Sequence, residues 1–354
     1  VVLPRVFPAT GSGGVSTVGL PTAANTGLMI PYSMQWNFTI EHTRWDTGFR
    51  ASYIGTNTRQ GDWGYDINSP VPDTRLFVDK TRRFPQYPAI NYFTNGAGHQ
   101  YHGLTLEAER HMSKGLYMQS SWVWARDIGD LNRGASPENP YDRRRERAAW
   151  EDIPTHRVTM NWVYQLPFGR GRPWLAAVNR WANLAVGGWE LSGIYSLYSG
   201  QFLTPLWSGP DPTGTAFTTG RTPPNVTRRP EHLRDANLAD DQRSVNRWFD
   251  AAAFSAPQAG QFGSAAKGVI KGPGVNVWHV GFIKNFTFSD RGPRLRWELT
   301  STNFFNHPNW SNPNTTITNL TQVGVISGVG GVNGASTGDQ PGARSFRMGF
   351  RAEW

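Results

Sequence analysis

Nine separate stretches of this chain alternate apolar and polar residues with a strict period of two. Successive side chains of a β-strand point to opposite faces, so each stretch would carry one apolar and one polar face. Met34, Trp36, Phe38 and Ile40 alternate with Gln35, Asn37, Thr39 and Glu41; Phe49, Ala51 and Tyr53 alternate with Arg50 and Ser52. The same pattern holds for Leu104, Leu106 and Ala108, for Leu116, Met118, Trp122 and Trp124, and for Val158, Met160, Trp162 and Tyr164. It returns at Trp189, Leu191, Tyr195 and Leu197, at Trp278, Val280, Phe282 and Phe286, and at Leu295, Trp297 and Leu299. The last stretch sets Phe346, Met348, Phe350, Ala352 and Trp354 against Arg347, Arg351 and Glu353. The stretches run about ten residues, the length a tilted strand needs to cross a bilayer.

The connections alternate too. Residues 44–48, 113–115 and 289–293 are short and hold turn-forming residues; 167–188 is longer. Residues 57–99, 126–154, 200–274 and 306–344 are long and rich in Pro, Gly, Asn and Thr. Soluble domains seldom carry long structureless loops. Outer-membrane barrels pair short periplasmic turns with long outer loops. The expected fold is therefore all-β, an antiparallel transmembrane β-barrel with long extracellular loops. Nine strands would put residues 1–32 at the long-loop end and the C-terminus at the other, so the chain reads as the C-terminal portion of a larger barrel.

Composition agrees with that reading. Aromatic residues reach 13% and charged residues only 17%, at a mean hydropathy of −0.51. Alternating strands with aromatic girdles have this polar average and heavy aromatic load, whereas disordered chains are poor in aromatics. No run of about 18 apolar residues marks a transmembrane helix. Residues 1–5 lack the basic and apolar regions of a signal peptide. The net charge of +9 is carried mainly by scattered Arg, which fits anionic lipid headgroups better than a nucleic-acid footprint, and no nucleic-acid partner is expected. The absence of Cys excludes disulfides, thiolate metal sites and Cys nucleophiles.

The assembled segments resemble a known family. Pro31–Asn37, Tyr53–Thr56, Tyr101–Leu104, Pro154–Arg157, Leu166–Gly171, Gly187–Gly193, Trp248–Asp250, Gly272–Gly274, Lys284–Phe286 and Phe304–Pro308 stand in an order and spacing similar to the C-terminal barrel region of TonB-dependent outer-membrane receptors. The likeness is specifically to the Oar-like type, which carries a carboxypeptidase-regulatory-like N-terminal domain. The resemblance runs nearly the whole chain. It implies a barrel of about 22 strands, of which residues 1–354 would be the C-terminal part without plug or N-terminal domain. It also implies energy coupling through that plug to the TonB complex, and recognition of the last strand by the barrel assembly machinery, with Phe346, Phe350 and Trp354 as the assembly signal.

No enzymatic constellation emerges. The eight His are dispersed, with no metal-ligand spacing; His102 and His156 read as interfacial. No G-x-S-x-G elbow is present. The Gly-rich run 328–334 reads as a flexible outer loop, and Asp235, Asp240 and Asp241 as a solvated loop face. No cofactor and no enzymatic activity are expected. Arg157, Glu190, Glu298 and Arg351 fall on polar faces and are expected to line the lumen or meet the plug. Arg143, Arg144, Arg145 and Arg147 form the sharpest charge cluster, in an outer loop. Contact with lipopolysaccharide or an acidic ligand, and balance against Asp142, Glu146, Glu151 and Asp152, are both open to it. The expected role is a barrel segment of a receptor in the bacterial outer membrane that takes up a scarce nutrient, its apolar faces in lipid. An adhesin on the same barrel and a soluble carbohydrate-binding β-sandwich are the alternatives.

Overall fold

The computed structural model describes residues 21–130, 137–215, 228–288, 292–329 and 342–353. Nine long strands form one continuous antiparallel sheet in chain order. They are β1 (Tyr32–Arg44), β2 (Thr47–Asp66), β3 (Asn91–Ser113), β4 (Leu116–Gly129), β5 (His156–Gln165), β6 (Trp189–Tyr198), β7 (Val275–Thr287), β8 (Arg294–Thr302) and β9 (Ser345–Glu353). Within the described residues, each alternating stretch lies in one of them. Two short pieces, Thr22–Ala24 and Ala148–Ala149, add to β3 and β4. Among the described residues, no helix is long and apolar enough to cross a membrane, which does not bear on crossing by strands.

The short turns set the register. β1 and β2 are joined by Trp45 and Asp46, both at positive φ (54° and 56°), and β3 and β4 by Lys114 and Gly115 (50° and 81°). Such two-residue turns match the right-handed twist of the strands they join. They force the pairs Glu41↔Arg50 and Arg44↔Thr47. A one-residue slip would move every apolar side chain to the other face. On the apolar face, aromatic rings cover glycines of the neighbouring strand: a Cβ at Gly193 would lie 2.5 Å from the Trp162 ring. Tyr32, Met34, Trp36, Phe38, Ile40, Phe49, Leu106, Phe346, Met348 and Phe350 all lie exposed on this face. So large an apolar surface demands an apolar surrounding.

Three expectations need correction. β2 and β3 have 20 and 23 residues, twice the expected length, so their loop shrinks to residues 67–90. The excess continues past a bulge near Gln60 (φ 59°), towards the long-loop end. His102 consequently sits within β3 rather than near a strand start, and its Nδ1 lies 2.7 Å from the Tyr53 hydroxyl. Finally, residues 199–274 are not structureless. Phe202–Leu203 pairs with Ile270–Lys271, and Glu231–His232 with Phe254–Ser255. Leu203, Ala236, Phe249, Ala253, Phe254, Ile270 and Ile317 pack into a buried core there. Each of the larger apolar side chains contributes about 1.5–3 kcal/mol by leaving water. Trp354, the 330–334 part of the Gly-rich run and positions 289–291 of the turn lie outside the described residues.

Candidate functional site

A concavity opens on the polar face of the sheet. Glu41, Arg50, Glu107, Gln119, Ser121 and Asn161 line it, over a volume of about 440 Å³. Register places Glu41, Arg50, Glu107, Ser121, Thr159 and Ser196 in one row across six strands. Within it Arg50 Nε donates to Glu41 Oε1 (2.8 Å) and Arg50 Nη1 to Glu107 Oε2 (3.3 Å). The three side chains remain well exposed (54%, 62% and 38%), so the pairs add little stability. What they do is present a charged ladder to whatever occupies the concavity, near the short-turn end.

The long-loop end carries a folded cap. Arg229 is its hub, with a side chain 1% exposed. Its Nε donates to Glu138 Oε2 (2.9 Å), its Nη2 lies 3.1 Å from Glu146 Oε1, and its backbone N–H donates to Glu138 Oε1 (2.9 Å). Lys267 Nζ lies 2.6 Å from Glu146 Oε2, and Arg145 Nη2 lies 3.4 Å from Glu138 Oε2. Two buried carboxylates thus meet three cations contributed by the 130–155 and 199–274 connections. Lys80, on the 67–90 loop, joins the same body: its buried ammonium donates to the Val71 (2.8 Å) and Thr213 carbonyls and lies 3.1 Å from Asp73. The 303–344 connection docks through Ile317 N–H to Leu206 O (2.9 Å) and Ile326 N–H to Val245 O (2.7 Å). The described parts of the four long connections therefore form one capping body.

Carboxylates on its surface are kept ionised. The Arg75 side chain, followed by its backbone N–H and Lys80, holds Asp73 well below the usual carboxylate range. Arg144 lowers Asp142, and the Asn237 backbone N–H lowers Asp235. Among the described residues, no group of acidic and His side chains could hold a metal ion.

The residues singled out in the sequence separate between these two regions. Arg157 follows the parity of the polar face, with its guanidinium 5.0 Å from the Tyr198 ring centre. Glu190 and Glu298 flank Ile283 in one row; Glu298 pairs with Arg296, and Arg351 stands opposite Arg296. Phe346 and Phe350 are on the apolar face, 54% and 65% exposed. The Arg cluster divides. Arg143 and Arg147 each approach Asp130 at 3.5 Å, Arg145 enters the buried hub, and Arg144 pairs with Asp142 while 92% exposed. Sequence reasoning missed the hub and the Glu41–Arg50–Glu107 ladder. A two-residue turn at Trp45–Asp46 places Glu41 opposite Arg50 by counting, so half of the ladder could have been found. Nothing local links Arg229 to Glu138, 91 residues away.

A family model described as "Outer membrane beta barrel domain" matches residues 3–345. No curated protein matches the chain. Among solved structures, the outer membrane transporter YddB from Escherichia coli is similar over 94% of this chain and 34% of its own, at 9% identity and a TM-score of 0.42. The copper transporter OprC is similar over 94% and 34%, at 10% identity and a TM-score of 0.38. The chain spans about a third of the length of these transporters.

Proposed function

The chain belongs to the outer-membrane β-barrel domain family and resides in the bacterial outer membrane; from that premise we propose that it forms wall and outer cap of a TonB-dependent receptor of the Oar-like type. In this reading the polar face, with the Glu41–Arg50–Glu107 ladder and Arg157, Glu190, Glu298 and Arg351, lines the conduit and meets a plug. The cap captures a scarce nutrient, and the inner-membrane TonB complex supplies energy through the plug. The barrel assembly machinery reads Phe346, Phe350 and Trp354. The role is transport, without catalysis or cofactor.

One observation carries the reading. A charged concavity on the polar face is joined, at the long-loop end of the same sheet, by an interlocked body with its own core and buried ion cluster. A wall needs no such investment, whereas a capture surface needs loops held in fixed positions. The test is deletion of residues 200–274 from the full-length protein in cells. Uptake of the nutrient should be abolished while the barrel still assembles and shows heat-modifiable migration. Unchanged uptake would remove the cap from the transport role, and loss of surface adhesion with uptake intact would favour the adhesin.

A further inference from the structure

The 166–188 connection is the long one at the short-turn, periplasmic end, and it has an unusual make-up. It contains Arg170, Arg172 and Arg180, two Trp, and no Asp or Glu. Its only helix, α1 (Arg180–Val186), is seven residues long and has no buried residue. A helix this short is not stable in water by itself and needs an apolar face packed on something. Trp174, Leu175 and Trp181 are instead 58%, 52% and 76% exposed.

The segment is nevertheless fixed: Arg172 Nη2 donates to Gln165 Oε1 (3.2 Å) at the rim, leaving its other N–H groups exposed, and the helix is held to the lipid side of the wall. Lys284 breaks the alternation of β7: it stands on the apolar face, opposite Trp189 and Trp297. Its ammonium lies 5.0 Å from the Trp189 ring centre and donates to Ala185 O (3.1 Å) and Gly187 O, the carbonyls that end α1. Trp189 Nε1 donates to Ala185 O as well (2.9 Å). Asn179 caps the N-terminus through Ala182 N–H (2.8 Å), and Arg180 donates to Phe288 O beyond the end of β7. The helix therefore lies against the outside of the barrel, at the rim, continuous with the lipid-facing surface.

We propose that residues 168–186 form a docking site for anionic phospholipid headgroups of the periplasmic leaflet. Trp174, Leu175 and Trp181 enter the headgroup–acyl boundary, where amphipathic rings are favoured, and Arg170 and Arg172 meet lipid phosphates. Charge complementarity and continuity with the lipid-facing wall identify the occupant. Lys284 is the positioning residue: it keeps α1 flat on the wall, and its own charge is taken up by the helix carbonyls.

The test uses the full-length protein in vesicles of phosphatidylcholine, with or without phosphatidylglycerol. An Ala177→Cys variant carries a bimane probe, and nitroxides at headgroup depth act as quenchers. Retained phosphatidylglycerol is measured by native mass spectrometry. The probe should be quenched, more so with phosphatidylglycerol present. Arg170→Gln/Arg172→Gln should lower phosphatidylglycerol retention roughly fivefold per Arg removed, while Arg170→Lys/Arg172→Lys keeps most of it. Trp174→Ser/Trp181→Ser should reduce quenching. Lys284→Met should reduce quenching in a barrel that still shows heat-modifiable migration. An unquenched probe in both vesicle types, equal retention in the Gln variant, or a protein seated on this surface in intact membranes would overturn the proposal.

Discussion

Arg229→Met tests whether the four outer connections really behave as one body. The side chain is almost wholly buried, and its loss leaves Glu138 and Glu146, 2% and 0% exposed, short of their shared cation. Breaking a buried pair by removing one partner costs about 3–5 kcal/mol, because a buried charge is left uncompensated. Here Arg145 (3.4 Å from Glu138) and Lys267 (2.6 Å from Glu146) remain, which argues for the lower end, about 3 kcal/mol. That is a rise of roughly 100-fold or more in the opened cap. Cleavage of a transiently open state tracks its population when reclosing is fast. Limited proteolysis of the purified protein in detergent should therefore cut within 199–274 about two orders of magnitude faster, with heat-modifiable migration of the barrel unchanged. Adding Glu138→Gln alone should restore part of the protection: it removes the carboxylate whose remaining cation is the more distant (Arg145, 3.4 Å), while Glu146 keeps Lys267 at 2.6 Å. A wild-type cleavage rate in Arg229→Met, or an Arg229→Met/Glu138→Gln variant as labile as the single one, would refute the reasoning.

Other outcomes follow from the same structure. Arg at Met160, mid-strand on the apolar face, should destabilise the barrel by roughly 2–4 kcal/mol, and Arg at the neighbouring Asn161 far less; equal costs in folding titrations into lipid would contradict the assignment of faces. Protease added to intact cells should reach the 199–274 connection and leave the turns at Trp45–Asp46 and Lys114–Gly115 uncut, and cleavage only after the outer membrane is disrupted would reverse the topology. Asp73, Asp142 and Asp235 have folded pKa values below the ordinary 3.8, so their stabilisation is complete above that value and lost as pH falls through the folded one. Their charge-to-alanine variants should narrow their gap from wild type in cap protection only below about pH 4; a gap already closed at pH 6 would show that other groups govern it.

How much of this was legible beforehand depended on how local the information is. The nine strands, their faces and the alternation of connection lengths follow from a period-two pattern that each segment carries within itself. The extension of β2 and β3 did not show, because past Thr58 the bulge at Gln60 breaks the period and Gly61, Gly64, Gly96 and Gly98 dilute it. The cap was hidden for a different reason. Glu138, Glu146, Arg229 and Lys267 meet through pairings 83 to more than 100 residues apart; only Glu146, inside the 143–147 Arg cluster, lies in a stretch the sequence marks out. Lys284 falls at apolar-face parity between Phe282 and Phe286, a break in the pattern that sequence reasoning passed over. Its partner, the end of α1, was not legible, because a seven-residue helix with no buried side leaves no periodic trace.

The central claim is that one face of every long strand meets lipid and the other an aqueous interior. Nitroxide labels are placed one at a time along β5, at positions 158 to 164 of the reconstituted full-length protein; residues 1–354 hold no Cys, and any Cys outside them is first replaced by Ser. Collision with oxygen, which partitions into lipid, and with a polar nickel complex, which stays in water, would then be measured at each site. The account predicts a period of two: Val158, Met160, Trp162 and Tyr164 high in oxygen contact, Thr159, Asn161 and Val163 high in nickel contact. Accessibility that varies smoothly along the strand, or the two reagents rising and falling together, would contradict it.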